Sequence, residues 1–196
     1  MTVRTSNGIR DALSATLGKP RLYLGTNVLL DLVRSKRPVE SRELVKWGES
    51  KQWRLISSLY ARMELYQRYQ EEVFFLSGIR QGQSADELNR RRTDFSPAEK
   101  QLAGITVRIN NDFDRRFQSI EWVYLDEDGW RQAISFASQL TLSVQDCLHL
   151  ATAVITGCDV LVTRDGSFSK AASQIMASGP PDQVLREAQG ELGSTR

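Results

Sequence analysis

The sequence predicts an α/β protein with a three-layer arrangement, a mainly parallel central sheet covered by helices on both faces. Short apolar segments alternate with longer amphipathic ones, which is the pattern of βαβ units. The last apolar segment, 159–163, is apolar on both sides, as expected for a strand buried between two layers of helices. The chain has 196 residues, of which 40% are hydrophobic and 26% charged, so one globular domain is expected.

Each element has a local reason. The expected strands are 21–24, 52–57, 120–125 and 159–163. The expected helices are 8–17, 26–34, 39–49, 58–76, 85–92, 97–117, 129–140, 143–157 and 169–177. Serines 57 or 58, 96 and 143 are placed to cap three of these helices, and Pro180-Pro181 is expected to end the ordered elements. The core is therefore placed at about 21–177, with a helical insertion at about 78–117 and a polar C-terminal tail at 179–196.

Composition narrows the classes of function. No apolar run approaches the roughly 18 residues of a membrane span and no signal-peptide core follows Met1, so a cytoplasmic protein is expected. With one histidine and two cysteines, Cys147 and Cys158, neither a zinc site nor a disulfide is expected. Any metal would be held by carboxylates, which favours Mg²⁺ or Mn²⁺. The formal net charge of +2 neither indicates nor excludes a nucleic-acid partner.

Asp146 is the only formal charge between Val144 and Cys158, a segment whose apolar residues predict a buried helix. An unpaired carboxylate in such a helix is costly. Two interpretations remain open. Ser143 and Asp146 match a variant of the capping box, in which the helix N-terminus favours the carboxylate; alternatively, Asp146 has a functional role.

Two other carboxylates allow similar alternatives. Asp165 follows the 159–163 strand and precedes a glycine, which is a common turn pairing. Glu64 lies at the edge of the apolar stripe of the 58–76 helix, where a surface glutamate is the ordinary case. Gly25 and Asp165 both come just past the end of a predicted strand, and ligands collect at the carboxyl ends of parallel strands.

The segments that carry these residues resemble the motifs of PIN-domain ribonucleases, from residue 21 to about 177. Residues 22–33 resemble the opening motif, an apolar strand followed by Asp-Thr-Asn and an apolar helix, in which the Asp binds metal. Residues 145–153 resemble the third motif, and 163–168 resemble the last one. Glu64 matches the second acidic position by its place after a serine-capped helix start.

This resemblance implies a metal-dependent endoribonuclease and, more narrowly, a toxin of the VapC kind. The implied catalytic residues and metal ligands are Glu64, Asp146 and Asp165, supported by Thr26, Asn27 and Thr163, with Phe168 as a packing residue. Clustered carboxylates would hold Mg²⁺ or Mn²⁺, which activates water and stabilises charge on the phosphate. An RNA substrate, a cognate antitoxin protein and a homodimer are the implied partners.

Gly25 stands where the resembled motif has its first acidic residue. Its substitution removes one negative charge and one ligand, so we expect severely reduced cleavage. Two origins fit this pattern. The chain is a toxin recovered in inactive form, since one base change converts an Asp codon into a Gly codon, or it is a natural noncatalytic PIN-like module that binds RNA or protein.

Four further features allow weaker expectations. Asp31, six residues after Gly25, is expected to face solvent or to lie behind the ligands rather than to replace the missing one. His149 is expected to be a packed helix residue and not a general base. Arg90–Arg92 and the group of Arg108, Arg115 and Arg116 would contact phosphates or form an ordinary solvated face, because acidic residues are interleaved with them.

Overall fold

The computed structural model describes residues 8–16, 18–33, 39–91, 110–111 and 115–193, and the side chains among them up to residue 190. These residues fall into two compact units. The first comprises Met1–Ala61 and Ser119–Arg196, and the second comprises Arg62–Gln118. The predicted helix that begins after Ser96 lies largely outside the described residues, as do Arg92 and Arg108.

The elements follow one another as alternating helices and strands. The strands are β1 (Arg21–Leu24), β2 (Arg54–Ser58), β3 (Ile120–Val123), β4 (Val160–Val162) and β5 (Ala177–Gly179). The helices up to β3 are α1 (Ile9–Ser14), α2 (Thr26–Val33), α3 (Val39–Ser50), α4 (Leu59–Arg80) and α5 (Ala85–Arg90). Those after β3 are α6 (Glu127–Gln139), α7 (Val144–Ile155), α8 (Gly166–Ala172) and α9 (Pro181–Gly193).

Within the described residues the five strands form one parallel sheet in the order β3-β2-β1-β4-β5. The chain builds outward from β1 to β3 and then returns to place β4 on the other side of β1, where Tyr23 is in register with Leu161. The strand order therefore reverses between β1 and β4. In open parallel sheets the crevice for a ligand lies at such a reversal, beyond the carboxyl ends of the strands.

Side chains of the central strands are buried on both faces, as their apolar sequence predicts. Tyr23, Ile56 and Leu161 point into one core cluster, together with residues of α6, α7 and α8. Their neighbours in the strands alternate to the opposite face, where a Leu55 methyl carbon lies 3.1 Å from the place that a Cβ on Gly48 of α3 would occupy. Helix α9 packs against both α1 and α3. The predicted α/β class, a parallel sheet with helices around it, is confirmed.

Two predictions at the C-terminal end were wrong. The short helix expected at 169–177 is α8, which begins at Gly166 because Asp165 caps it, and it ends at Ala172. No strand was expected after 163, yet Ala177–Gly179 forms β5, and the polar tail expected at 179–196 contains α9, whose Val184, Leu185 and Ala188 are buried. Pro181 starts α9 rather than breaking the ordered elements, in keeping with the preference for proline in the first helical turn.

The second unit contains most of α4, together with α5. Ser84 caps α5 by accepting a hydrogen bond from the Glu87 N–H at 3.3 Å. Leu88 is fully buried and packs so closely against Gly78 that a Cβ there would lie 2.2 Å from a Leu88 methyl carbon. Arg91 lies 5.4 Å from the centre of the Phe74 ring, so this arginine of the predicted basic cluster is partly used in packing.

Two further expectations concern the whole chain. None of the helices within the described ranges is long and apolar enough to cross a membrane. Both cysteines are free thiols: Cys147 is buried and Cys158 is half-buried. Burial raises the pKa of the Cys158 thiol to about 12.

Candidate active site at the carboxyl edge of the sheet

The turns that follow β1 and β4 are joined directly at the point where the strand order reverses. The Gly25 N–H donates to the Val162 carbonyl at 2.9 Å. The Asn27 side-chain Nδ2 donates to the Thr163 hydroxyl at 3.1 Å, and the Asn27 side-chain Oδ1 accepts from the Arg164 N–H at 3.1 Å. One asparagine therefore fixes both sides of the β4 turn relative to the start of α2.

Thr163 links this asparagine to Asp165. Its side chain is 2% exposed, and its hydroxyl oxygen accepts a hydrogen bond from the Asp165 N–H at 3.1 Å as well as the one from Asn27. Thr163 and Asn27 were both predicted to support the ligands, and they are hydrogen-bonded to each other. The carboxyl edge of the sheet thus carries a connected polar cluster made of Asn27, Thr163 and the backbone of Asp165.

Gly25 faces this cluster. A Cβ built on Gly25 would lie 3.3 Å from the Val162 carbonyl oxygen, 3.6 Å from the Thr163 Cβ and 3.7 Å from the Asn27 Oδ1. Its backbone is not in the left-handed region, which in the described residues is occupied only by Gln52, Gly82 and Gly157. A longer side chain at position 25 would therefore begin beside Asn27 and Thr163 after a shift of a few tenths of an ångström.

Asp165 caps α8 with one of its two carboxylate oxygens. Oδ1 accepts hydrogen bonds from the N–H groups of Ser167 and Phe168, at 2.9 and 3.0 Å, and from the Ser167 hydroxyl at 2.5 Å. The Ser167 hydroxyl first, and then the Phe168 N–H, hold the pKa of Asp165 below its usual range. This carboxylate is exposed and ionised at neutral pH.

Asp146 lies in the first turn of α7 and is half-buried. The Ser143 oxygen accepts from the Asp146 N–H at 3.1 Å, and the Ser143 hydroxyl donates to the Asp146 Oδ2 at 2.7 Å. The capping interpretation of this pair is therefore confirmed. Among the hydrogen bonds of the described residues, the Asp146 carboxylate uses only its Oδ2. A metal-binding role for Asp146 stays a prediction.

Glu64 lies on α4 and belongs to the second unit, whereas the other predicted site residues belong to the first. It is half-buried. The predicted serine cap of its helix is present, because the Ser58 oxygen accepts a hydrogen bond from the Ala61 N–H at 2.9 Å. Its role as a ligand stays a prediction.

Asp31 is not solvent-facing, which corrects one of the two places predicted for it. It is 8% exposed, and its Oδ2 accepts from the Ser41 hydroxyl at 2.6 Å and from the Arg164 Nε at 2.6 Å. Arg164 also reaches Glu40 on α3, at 3.4 Å. The ion pair anchors Arg164, which lies between Thr163 and Asp165, to α2. Sequence analysis missed this role because no local pattern links positions 31 and 164.

Thr26 reaches toward α7. Its hydroxyl oxygen lies 3.4 Å from Nε2 of His149, the residue three positions after Asp146. His149 is 4% exposed and contacts the rings of Tyr23, Tyr60 and Phe168, so the prediction that it is a packed helix residue is confirmed. The burial of Phe168, 4% exposed in the same cluster, likewise agrees with its predicted packing role.

Comparison with known families decides the relationship that these motifs suggest. Residues 22–174 match the model of the PIN domain. The chain belongs to the PIN domain family. The match includes the turns after β1 and β4, so Gly25, Asn27, Thr163 and Asp165 lie in the family's own framework.

Three solved structures are similar to this chain. A chain of a toxin–antitoxin complex from Klebsiella pneumoniae is 14% identical, with a TM-score of 0.50, covering 82% of this chain and 97% of that one. FitAcB from Neisseria gonorrhoeae is 17% identical, with a TM-score of 0.47 and coverages of 82% and 97%. A structure of FitAB bound to the IR36 DNA fragment is 18% identical, with a TM-score of 0.42 and coverages of 82% and 94%. No protein with a curated description matches the sequence.

PIN domains generally use a divalent metal ion. Two properties decide whether the residues present suit such an ion, namely the type of donor atom and the number of donors. The donor type fits, because carboxylate oxygens are the ligands that Mg²⁺ and Mn²⁺ prefer and Asp165 is ionised. The number falls short: among the described residues no three His, Cys, Asp or Glu side chains are grouped closely enough to hold a metal. Gly25 supplies no carboxylate at this edge, which is consistent with that shortfall.

Proposed function

We propose that this chain is a PIN-type endoribonuclease of the toxin kind whose activity is reduced because Gly25 replaces a metal-binding aspartate. The observation that carries the proposal is the polar cluster of Asn27, Thr163 and Asp165 beside position 25, at the reversal of the strand order. A carboxylate at position 25 would begin beside the buried Thr163 side chain and the half-buried Asn27 side chain.

In this proposal Glu64, Asp146 and Asp165 would hold Mg²⁺ or Mn²⁺, which supplies activated water and stabilises charge on the phosphate. Thr163 and Asn27 position the β4 turn, and the Thr26 hydroxyl lies 3.4 Å from Nε2 of His149 on α7. Glu64 is included on its motif position alone. We propose RNA as the substrate, a cognate antitoxin as the partner, a homodimer and a cytoplasmic location. The antitoxin is supported by the Klebsiella neighbour, whose structure is a toxin–antitoxin complex.

The test is to restore the carboxylate with Gly25→Asp and to measure RNA cleavage with Mg²⁺ or Mn²⁺ and growth on expression. We expect cleavage and growth arrest from Gly25→Asp and neither from Gly25→Asn, which adds the same shape without the charge. Adding Asp146→Asn to Gly25→Asp should abolish both effects. A folded Gly25→Asp protein that neither cleaves RNA nor arrests growth would contradict the nuclease proposal.

A second function has a specific observation in its favour. Asp146 and Asp165 both have capping roles that explain them without a metal, and the described residues contain no group of three metal-binding side chains. These facts favour a noncatalytic PIN-like module that binds RNA or protein. Titration of the unmodified chain with Mn²⁺ separates the two functions: the nuclease proposal expects weak binding that Asp146→Asn abolishes, and the binding module expects none.

A further inference from the structure

His149, the only histidine of the chain, contacts the segments that carry the predicted acidic positions. The centre of its ring lies 5.9 Å from that of Tyr23 on β1, 5.4 Å from Tyr60 on α4 and 6.4 Å from Phe168 on α8. It lies itself on α7, one turn after Asp146. The ring also carries two nitrogen atoms, and both have polar partners in the same cluster.

The polar atoms of His149 belong to a chain of hydrogen bonds. The Tyr23 hydroxyl donates to the Ser58 oxygen at 3.0 Å, and the Tyr23 oxygen lies 2.7 Å from Nδ1 of His149. A phenol has a single proton to donate. With that proton on Ser58, Nδ1 must carry a hydrogen and donate it to Tyr23. In the neutral ring Nε2 is then an acceptor, and it faces the Thr26 hydroxyl at 3.4 Å.

These contacts connect short pieces of chain next to every motif. Tyr23 and Thr26 lie on either side of Leu24, the last residue of β1, and Gly25. Ser58 caps α4, the helix that contains Glu64, through the Ala61 N–H. Asp146 precedes the ring on the same face of α7, because residues three apart on a helix are neighbours.

We propose that His149 is a positioning residue, held as the Nδ1–H tautomer, that fixes the start of α7 relative to the β1–α2 turn and the cap of α4. It does not touch the reacting atoms. The effect on metal binding rests on the proposed function, whereas the tautomer and the positioning effect do not.

The first test reads the tautomer directly. In uniformly ¹⁵N-labelled protein at neutral pH, a long-range ¹H–¹⁵N correlation spectrum shows one imidazole, because the chain has one histidine. We expect a protonated Nδ1 and an unprotonated Nε2, and we expect Tyr23→Phe, which removes one oxygen atom, to change this pattern. An Nε2–H tautomer, a mixture of both, or a pattern unaffected by Tyr23→Phe would overturn the proposal.

The second test reads the positioning. In the Gly25→Asp background, His149→Leu should weaken Mn²⁺ binding by on the order of 10-fold, the usual effect of losing a partner that orients ligands. His149→Asn, which keeps a donor near the Nδ1 position, should restore most of the affinity. Isothermal titration gives both values, and circular dichroism establishes that each variant is folded. Unchanged affinity in folded His149→Leu would overturn the proposal.

Two outcomes are distinguished by the same samples. If Gly25→Asp itself binds no Mn²⁺, the proposed function fails, and His149 is judged by the backbone amide shifts of Thr26 and Asp146. These should move in His149→Leu and return in His149→Asn; if they do not move, the positioning role is wrong. If His149→Leu does not fold, Tyr23→Phe replaces it in the Mn²⁺ titration. An unchanged Mn²⁺ affinity of folded Tyr23→Phe would then overturn the positioning role of His149.

Discussion

The strongest prediction concerns the free energy of unfolding of Gly25→Asp with and without metal. Without metal, the new Cβ lies 3.3 Å from the Val162 carbonyl oxygen, which requires only a small backbone adjustment. An overpacking cost of about 1 kcal/mol is opposed by roughly 0.4–1 kcal/mol from the reduced freedom of the unfolded chain. The metal-free free energy of unfolding should therefore change by no more than about 1 kcal/mol.

With metal, the same substitution should stabilise the protein strongly. A ligand that binds only the folded state adds RT ln(1 + [L]/Kd), which is about 2.7 kcal/mol at a concentration of 100 Kd. For a chain of this length each kcal/mol shifts the Tm by roughly 2–4 °C, so Mn²⁺ should raise the Tm of Gly25→Asp by about 5–10 °C. The unmodified chain should gain much less, because it lacks the carboxylate.

The assay is thermal unfolding followed by circular dichroism over a series of Mn²⁺ concentrations, for the unmodified chain, Gly25→Asp and Gly25→Asn. The asparagine variant has the same shape as the aspartate variant, so it isolates the effect of the charge. If Mn²⁺ raises the Tm of Gly25→Asn as much as that of Gly25→Asp, the carboxylate is not a ligand. If it raises neither, position 25 does not face a metal site.

Three further predictions use other parts of the first unit. Asp31→Asn should lower the free energy of unfolding in urea by about 2–3 kcal/mol, below the range for fully buried pairs because the Arg164 side chain is 31% exposed. Combining it with Arg164→Met should cost less than the sum of the single changes, and simple additivity would contradict the pair. The pKa of Asp165 is lowered in the folded state by the hydroxyl and N–H groups that donate to it, so its stabilising contribution is complete above the unfolded pKa. That contribution is lost as the pH falls through the folded pKa, and urea unfolding of Asp165→Asn should accordingly depend less on pH in the acid range; an equal dependence would refute this assignment. Cys158, with a pKa of about 12, should react with a thiol reagent at pH 8 far more slowly in the native protein than after unfolding, and equal rates would contradict the raised pKa.

Elements with a strong local pattern could be predicted from the sequence almost to the residue. The strand Arg21–Leu24 and the serine cap at 143 have clear local causes, an apolar run that ends at a turn and a hydroxyl that meets a free helix N–H. Strand β5, Ala177-Ser178-Gly179, has residues with little preference for strands. It forms because β4 offers an edge to pair with, and that edge exists only once the sheet has formed.

The candidate site shows the same division between local and distant causes. Thr163, Asn27 and Asp165 could be predicted because each follows a strand end and resembles a motif. The pairing of Asp31 with Arg164 joins residues 133 positions apart, so no spacing indicates it. The hydrogen bonds of His149 join α7 to β1 in the same way, over 126 positions to Tyr23. A sequence reveals which residue types are present at each strand end, but the partners that orient them depend on the packing of the whole sheet.

Gly25 differs from the glycines that this fold requires. Gly157 has a φ of +65°, a conformation that favours glycine, and it follows the last turn of α7. Gly25 has no such conformation, and the space beside it admits a Cβ after a small shift. The backbone therefore does not select glycine at position 25, and the neighbours that a side chain would meet, Asn27 and Thr163, remain in place without it. It follows that a carboxylate placed at position 25 would change the chemistry of the site and not its framework, so Gly25→Asp is the decisive change to test.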